Sequence, residues 1–84
     1  MISFYRPIIN VINLKIDFNI NKTSNITFKF YDILGKLVDN IDLGVLNINN
    51  YTINWNPSNI SSGTYFIVMS NGQQIYQKKA TFIK

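Results

Sequence analysis

From Ile12 to Ile20 apolar and polar residues alternate without a break: Ile12, Leu14, Ile16, Phe18 and Ile20 fall on one side, Asn13, Lys15, Asp17 and Asn19 on the other. A strict period of two marks a strand with one buried and one solvated face. The polar segment 21–25 then turns the chain. A second alternating run follows, with Ile26, Phe28 and Phe30 inward and Thr27, Lys29 and Tyr31 outward. Its closeness in sequence predicts that it pairs with the first run as a hairpin. Asp32-Ile33-Leu34-Gly35-Lys36 reads as a turn, with Gly35 free to take a positive φ. A short third strand is expected over 36–41, a further turn at Asp42-Leu43-Gly44, and either a short strand or a crossing loop over 45–50.

Tyr51, Ile53 and Trp55 alternate with Thr52 and Asn54 and predict another strand, followed by a long polar loop over 56–63. From Thr64 to Ser70 both faces are apolar, the pattern of a central strand covered on both sides. Asn71-Gly72 matches a two-residue type I′ hairpin turn. The last strand is expected from about Gln74 to Ile83. All four glycines, Gly35, Gly44, Gly63 and Gly72, are placed between predicted strands, and no window keeps a helical period. The pattern predicts an all-β fold: an immunoglobulin-like antiparallel β-sandwich of six to seven short strands. Residues 1–11 are read as a lead-in, linker or first edge strand, and residues 12–84 as the sandwich itself.

Composition supports this reading. Among 84 residues there are fifteen isoleucines and thirteen asparagines but one alanine and no glutamate. The first set fits pleated surfaces and turns, the second favours helices. AT-rich coding would favour the same residues, so the periodicity carries the assignment. The length holds one small domain. Cysteine and histidine are both absent, which removes disulfides, thiolate zinc sites, redox chemistry and the usual neutral-pH general base. Asp17, Asp32, Asp39 and Asp42 are the only side-chain carboxylates. No nucleophile elbow or Ser-x-x-Lys pattern accompanies the remaining serines. The chain is therefore read as no enzyme, with no cofactor and no metal. The longest apolar run, Tyr65 to Met69, falls far short of the ~18–20 residues that span a bilayer. Arg6, Asn10 and Asn13 interrupt any N-terminal export signal, so a role outside the cell would make this chain part of a longer precursor.

Four segments in order carry a resemblance. Asn25 to Lys36, reading NITFKFYDILGK, resembles the strand, "hydrophobic-Tyr-Asp/Asn-hydrophobic-hydrophobic-Gly-Lys/Arg" turn and strand of the C-terminal sorting domains exported by the bacterial type IX secretion system. Asn54-Trp55-Asn56-Pro57-Ser58-Asn59-Ile60 is similar to that family's "Trp-Asp/Asn-x-Ser-x-Leu" segment. Ser62-Gly63-Thr64-Tyr65-Phe66 matches its "Ser/Pro-Gly-x-Tyr" element, and residues 78–84 look like its terminal strand, which ends on Lys or Arg. The family's opening Tyr-Pro-Asn-Pro motif departs here to Tyr5-Arg6-Pro7. The resemblance spans about residues 12–84. It implies a sorting signal read by an outer-membrane shuttle or translocon and cut from its cargo by a sortase-like protease. The precursor would then be secreted or held at the cell surface of a Bacteroidota-type bacterium, having passed through the periplasm.

Each singled-out residue also has a purely structural reading. Gly35, Gly63 and Gly72 serve as turn glycines; Trp55 and Tyr65 serve as core aromatics whose polar tips find partners. Tyr31 closes a strand, and Asp32 bonds nearby backbone amides. Asp39 and Asp42 have a spacing that suggests calcium but lack the acidic density of a calcium loop. Lys78, Lys79 and Lys84 either protect an edge strand or form the docking surface for the export machinery. A second functional class is a generic adhesion or carbohydrate-binding module using Tyr31, Tyr51 and Tyr76 as exposed platforms. Nucleic-acid binding is suggested by the net charge of +4, but the basic residues form no arginine-rich run or RNA-binding motif. The partners expected are therefore the export proteins alone, met by a monomer with no membrane span of its own.

Overall fold

The computed structural model describes residues 2–4, 14–57 and 61–82. Among them are seven strands and no helix: β1 (Ile2–Phe4), β2 (Leu14–Ile20), β3 (Ser24–Tyr31), β4 (Leu37–Leu46), β5 (Asn49–Trp55), β6 (Gly63–Ser70) and β7 (Ile75–Phe82). They form a three-stranded sheet, β1-β2-β5, and a four-stranded sheet, β4-β3-β6-β7, and every pairing is antiparallel. The expectations for Tyr5-Arg6-Pro7, Ile12, Asn13, Ser58 to Ile60, Ile83 and Lys84 lie outside the described residues.

The period-two pattern becomes a single core. Leu14, Ile16, Phe18 and Ile20 of β2 and Trp55 of β5 come from one sheet. Ile26, Phe28 and Phe30 of β3, Tyr65, Ile67 and Met69 of β6 and Ala80 of β7 come from the other. Each fully buried aliphatic or phenyl side chain contributes about 1.5–3 kcal/mol relative to exposure. Aromatic rings join the layers: Phe18 meets Phe28 edge-on at 5.0 Å between centroids, and Phe30 stacks on Trp55 at 4.0 Å.

The first two long strands do not form the expected hairpin. β2 pairs with β1 and β5, whereas β3 pairs with β4 and β6. Exposed Asn21, Lys22 and Thr23 carry the chain across from one sheet to the other. Ile20 and Ile26 stay buried on either side of that crossing. In a flat hairpin both apolar stripes would lie side by side and still need cover. Setting them face to face lets each bury the other.

Four local expectations are corrected as well. The turn at Asp42-Leu43-Gly44 is a β-bulge inside the continuous β4: Ile26 opposes Gly44 and Thr27 opposes Asp42, leaving Leu43 as the extra residue. Gly44 adopts φ 69°, and its N–H donates to Asp42 Oδ1 at 3.0 Å, so the strand bends without ending. Not every glycine therefore separates strands: Gly44 lies within β4, and Gly63 is the first residue of β6. β6 is interior to its sheet but covered on one face, since Tyr65, Ile67 and Met69 are buried while Phe66 and Val68 are half-buried. In two layers, the outer face of an interior strand is shielded sideways by neighbouring side chains and has no third layer above it. Finally, Ser70 pairs with Ile75, so residues 71–74 form the β6–β7 connection, longer than a two-residue turn. Asn71 Oδ1 accepts the amides of Gln73 (3.0 Å) and Gln74 (2.7 Å) there, and Gly72 follows at φ 91°.

Candidate recognition surface

The β3–β4 turn is built around one carboxylate. Asp32 Oδ1 accepts the amides of Leu34 (3.0 Å) and Lys36 (2.9 Å). Its backbone carbonyl accepts the Gly35 amide at 3.0 Å, and its own amide donates to the Lys36 carbonyl at 2.9 Å. Gly35 holds φ 86°, a left-handed conformation that a side chain would strain. Tyr31, the last residue of β3, is half-buried on the outer face of the four-stranded sheet. Asp32 thus does the local work its position before a turn suggests. Ile33 and Leu34, expected simply as turn positions, are 71% and 90% exposed.

Trp55, Gly63 and Tyr65 belong to the core and its rim. The Trp55 ring lies between Phe30 and Tyr65, which it meets edge-on at 6.0 Å. Its Nε1–H donates to Asp39 Oδ2 at 2.7 Å, while Asp39 Oδ1 accepts the Asn40 amide at 2.7 Å. Tyr65, near the start of β6, donates its hydroxyl to the Ser61 carbonyl at 2.6 Å and so ties down the preceding loop. Tyr51, near the start of β5, makes the same link to the Asn47 carbonyl at 2.8 Å. Both bonds fix where a connection enters a sheet.

Lys78 and Lys79 fall on opposite sides of one edge strand. In β7, Lys78 opposes Ile67 and Lys79 opposes Phe66. Directly opposed residues share a face and successive ones alternate. Lys78 therefore lies on the core-facing side of this edge strand and Lys79 on the outer side, and both are exposed. Lys84 is outside the described residues. The outer side also carries Lys29, which opposes Val68 one row away.

Of the aromatic platforms considered for sugar binding, Tyr51 is half-buried and stacked on Phe18 at 5.6 Å, Tyr31 is half-buried, and Tyr76 is exposed. A shallow groove runs over the outer side of β2 and β5 along Lys15, Asp17, Asn19, Asn50 and Thr52. Its polar groups bond to one another: Thr52 Oγ1 donates to Asp17 Oδ1 at 2.6 Å, and Asn19 Nδ2 to Asn50 Oδ1 at 2.7 Å. Among the described residues no three His, Cys, Asp or Glu side chains cluster as a metal site. No helix among them is long and apolar enough to cross a membrane.

A family model described as a secretion system C-terminal sorting domain matches residues 7–84. No curated protein and no solved structure matches the chain.

Proposed function

The chain belongs to the secretion system C-terminal sorting domain family, and from that premise we propose that its folded sandwich is read by the type IX outer-membrane translocon and then cut from its cargo by a sortase-like protease. The match over residues 7–84 carries this reading. The domain itself catalyses nothing: its contribution is a compact shape, an accessible strand edge and a set of surface lysines. A cargo ahead of the domain crosses the periplasm and leaves the cell because this shape is recognised, and it ends up released or held at the surface. One copy of the domain suffices, and nucleic acid plays no part.

Strand addition supplies a physical basis for recognition. Among the described residues β7 pairs only with β6 and closes one side of the four-stranded sheet, which leaves its outer edge to a pairing strand. Lys78 and Lys79 on its two faces discourage pairing between copies of the domain, and still allow a partner with matching acidic groups.

The test is a reporter carrying an N-terminal export signal and fused ahead of residues 1–84, expressed in a type IX-competent bacterium. The expected result is reporter outside the cell whose intact mass lacks most of the 9.7 kDa domain. Deleting residues 78–84 should return it to the periplasm. A reporter that remains periplasmic with or without residues 78–84 overturns the reading.

A further inference from the structure

We propose that the β3–β4 turn and the sheet row behind it form a docking knob for an apolar, acid-rimmed pocket on a protein of the export machinery. This inference rests on the sorting reading above and assigns it a contact surface away from the C-terminal strand.

The turn is unusual in combining rigidity with bare apolar side chains. Four hydrogen bonds involving Asp32 and the positive φ of Gly35 hold it, yet Ile33 and Leu34 at its tip are 71% and 90% exposed. Isolated exposed apolar residues are ordinary, whereas contiguous ones mark contact sites. These are contiguous with others. Leu37 of β4 opposes Tyr31 of β3, Tyr31 opposes Phe66 of β6, and Phe66 opposes Lys79 of β7. That row crosses the outer face of all four strands immediately behind the turn, with Leu37 48% exposed.

The charges beside this patch are mainly positive. Lys36 lies in the turn, Lys79 ends the row, and Lys29 lies in the adjacent row. The nearest carboxylates are otherwise engaged. Asp32 accepts the turn's own amides, Asp39 opposes the buried Phe30 and holds Trp55, and Asp42, opposite Thr27 one row beyond Lys29, accepts the Gly44 amide. The complement of an apolar knob with a cationic rim is an apolar pocket with an acidic rim. A protein pocket is favoured over a lipid surface because a bilayer conforms to any apolar tip. A rigid turn lowers the ordering cost of binding where the partner is itself shaped.

The experiment uses the reporter fused to residues 1–84 and reads the extracellular fraction, with a thermal unfolding midpoint for each purified chain. Ile33→Asn with Leu34→Asn should lower export roughly tenfold or more, as expected when contact anchors are lost, at an unchanged midpoint. Lys36→Glu with Lys79→Glu should do the same, and Lys36→Arg with Lys79→Arg should export normally. Val45→Asn with Ile48→Asn removes apolar residues of similar exposure, 69% and 67%, elsewhere on the surface, and should leave export unchanged. Should the turn variant fail to fold, the charge reversal carries the same expectation alone. Normal export of the turn variant or of the charge reversal overturns the proposal, as does an equal loss in the Val45/Ile48 variant. Binding of the purified chain to phosphatidylglycerol vesicles that Ile33→Asn with Leu34→Asn abolishes while export stays normal would assign the knob to lipid and overturn it. An unaltered fusion that never leaves the periplasm fails earlier, at the sorting reading itself.

Discussion

Asp39 holds the indole of Trp55, the largest fully buried side chain, through a 2.7 Å bond to its Nε1. Removing either partner strands the other in a part-buried setting, where a lost bond to a charged group costs about 1.5–3 kcal/mol. Trp55→Phe and Asp39→Ala are each expected to lower stability by about 2 kcal/mol in urea unfolding. The double substitution should cost clearly less than their sum, because the two share one interaction. Asp32→Ala removes the acceptor for two turn amides and should cost about 1–2 kcal/mol, while Asp32→Asn, which keeps an acceptor oxygen, costs less. The role of Asp32 is legible in the sequence because its partners, Leu34 and Lys36, are two and four residues away. That of Asp39 is not, because Trp55 is sixteen residues on and reaches it only once both sheets have assembled.

Strand positions follow from alternation, but strand partners do not. Period two identifies the inward residues of β2 and β3, and both a hairpin and a crossing between sheets satisfy it; only the need to cover both stripes selects the crossing. Gly44 is misread as a strand end for a related reason. A glycine at φ 69° suits a turn and a bulge equally, and the continued pairing of β4 with β3 on both sides of it decides between them. Gly44→Val should therefore destabilise the fold by at least about 1 kcal/mol, measured by the urea midpoint, since a β-branched residue is strained there and the bulge cannot form unchanged. At the β7 edge the prediction concerns solubility. Lys78→Val with Lys79→Val removes the charges from both faces of an open edge, and light scattering should show concentration-dependent association that the unaltered chain lacks.

Across the whole molecule, stability rests on one core shared by two sheets, with no disulfide to assist it. The pairing of β2 with β5 and of β3 with β6 joins distant parts of the chain. Folding is accordingly expected on the millisecond-to-second scale typical of such topologies, as a single exponential in stopped-flow fluorescence of Trp55. Function was legible in a different way from fold. No cluster of reactive groups announces it; four short segments in order resemble a family, and the structure gives most of their named residues mechanical tasks. Asp32 ties a turn, Trp55 fills the core and Tyr65 fixes a loop, while Ile33 and Leu34 stand out only once exposure is known. The central claim is that this sandwich directs its cargo through the type IX route. It is tested most directly by one measurement: the extracellular fraction of a reporter fused ahead of residues 1–84, in paired strains with an intact and a disrupted type IX translocon. The account predicts reporter outside the cell in the intact strain and periplasmic reporter in the disrupted one. An equal distribution in the two strains would contradict it.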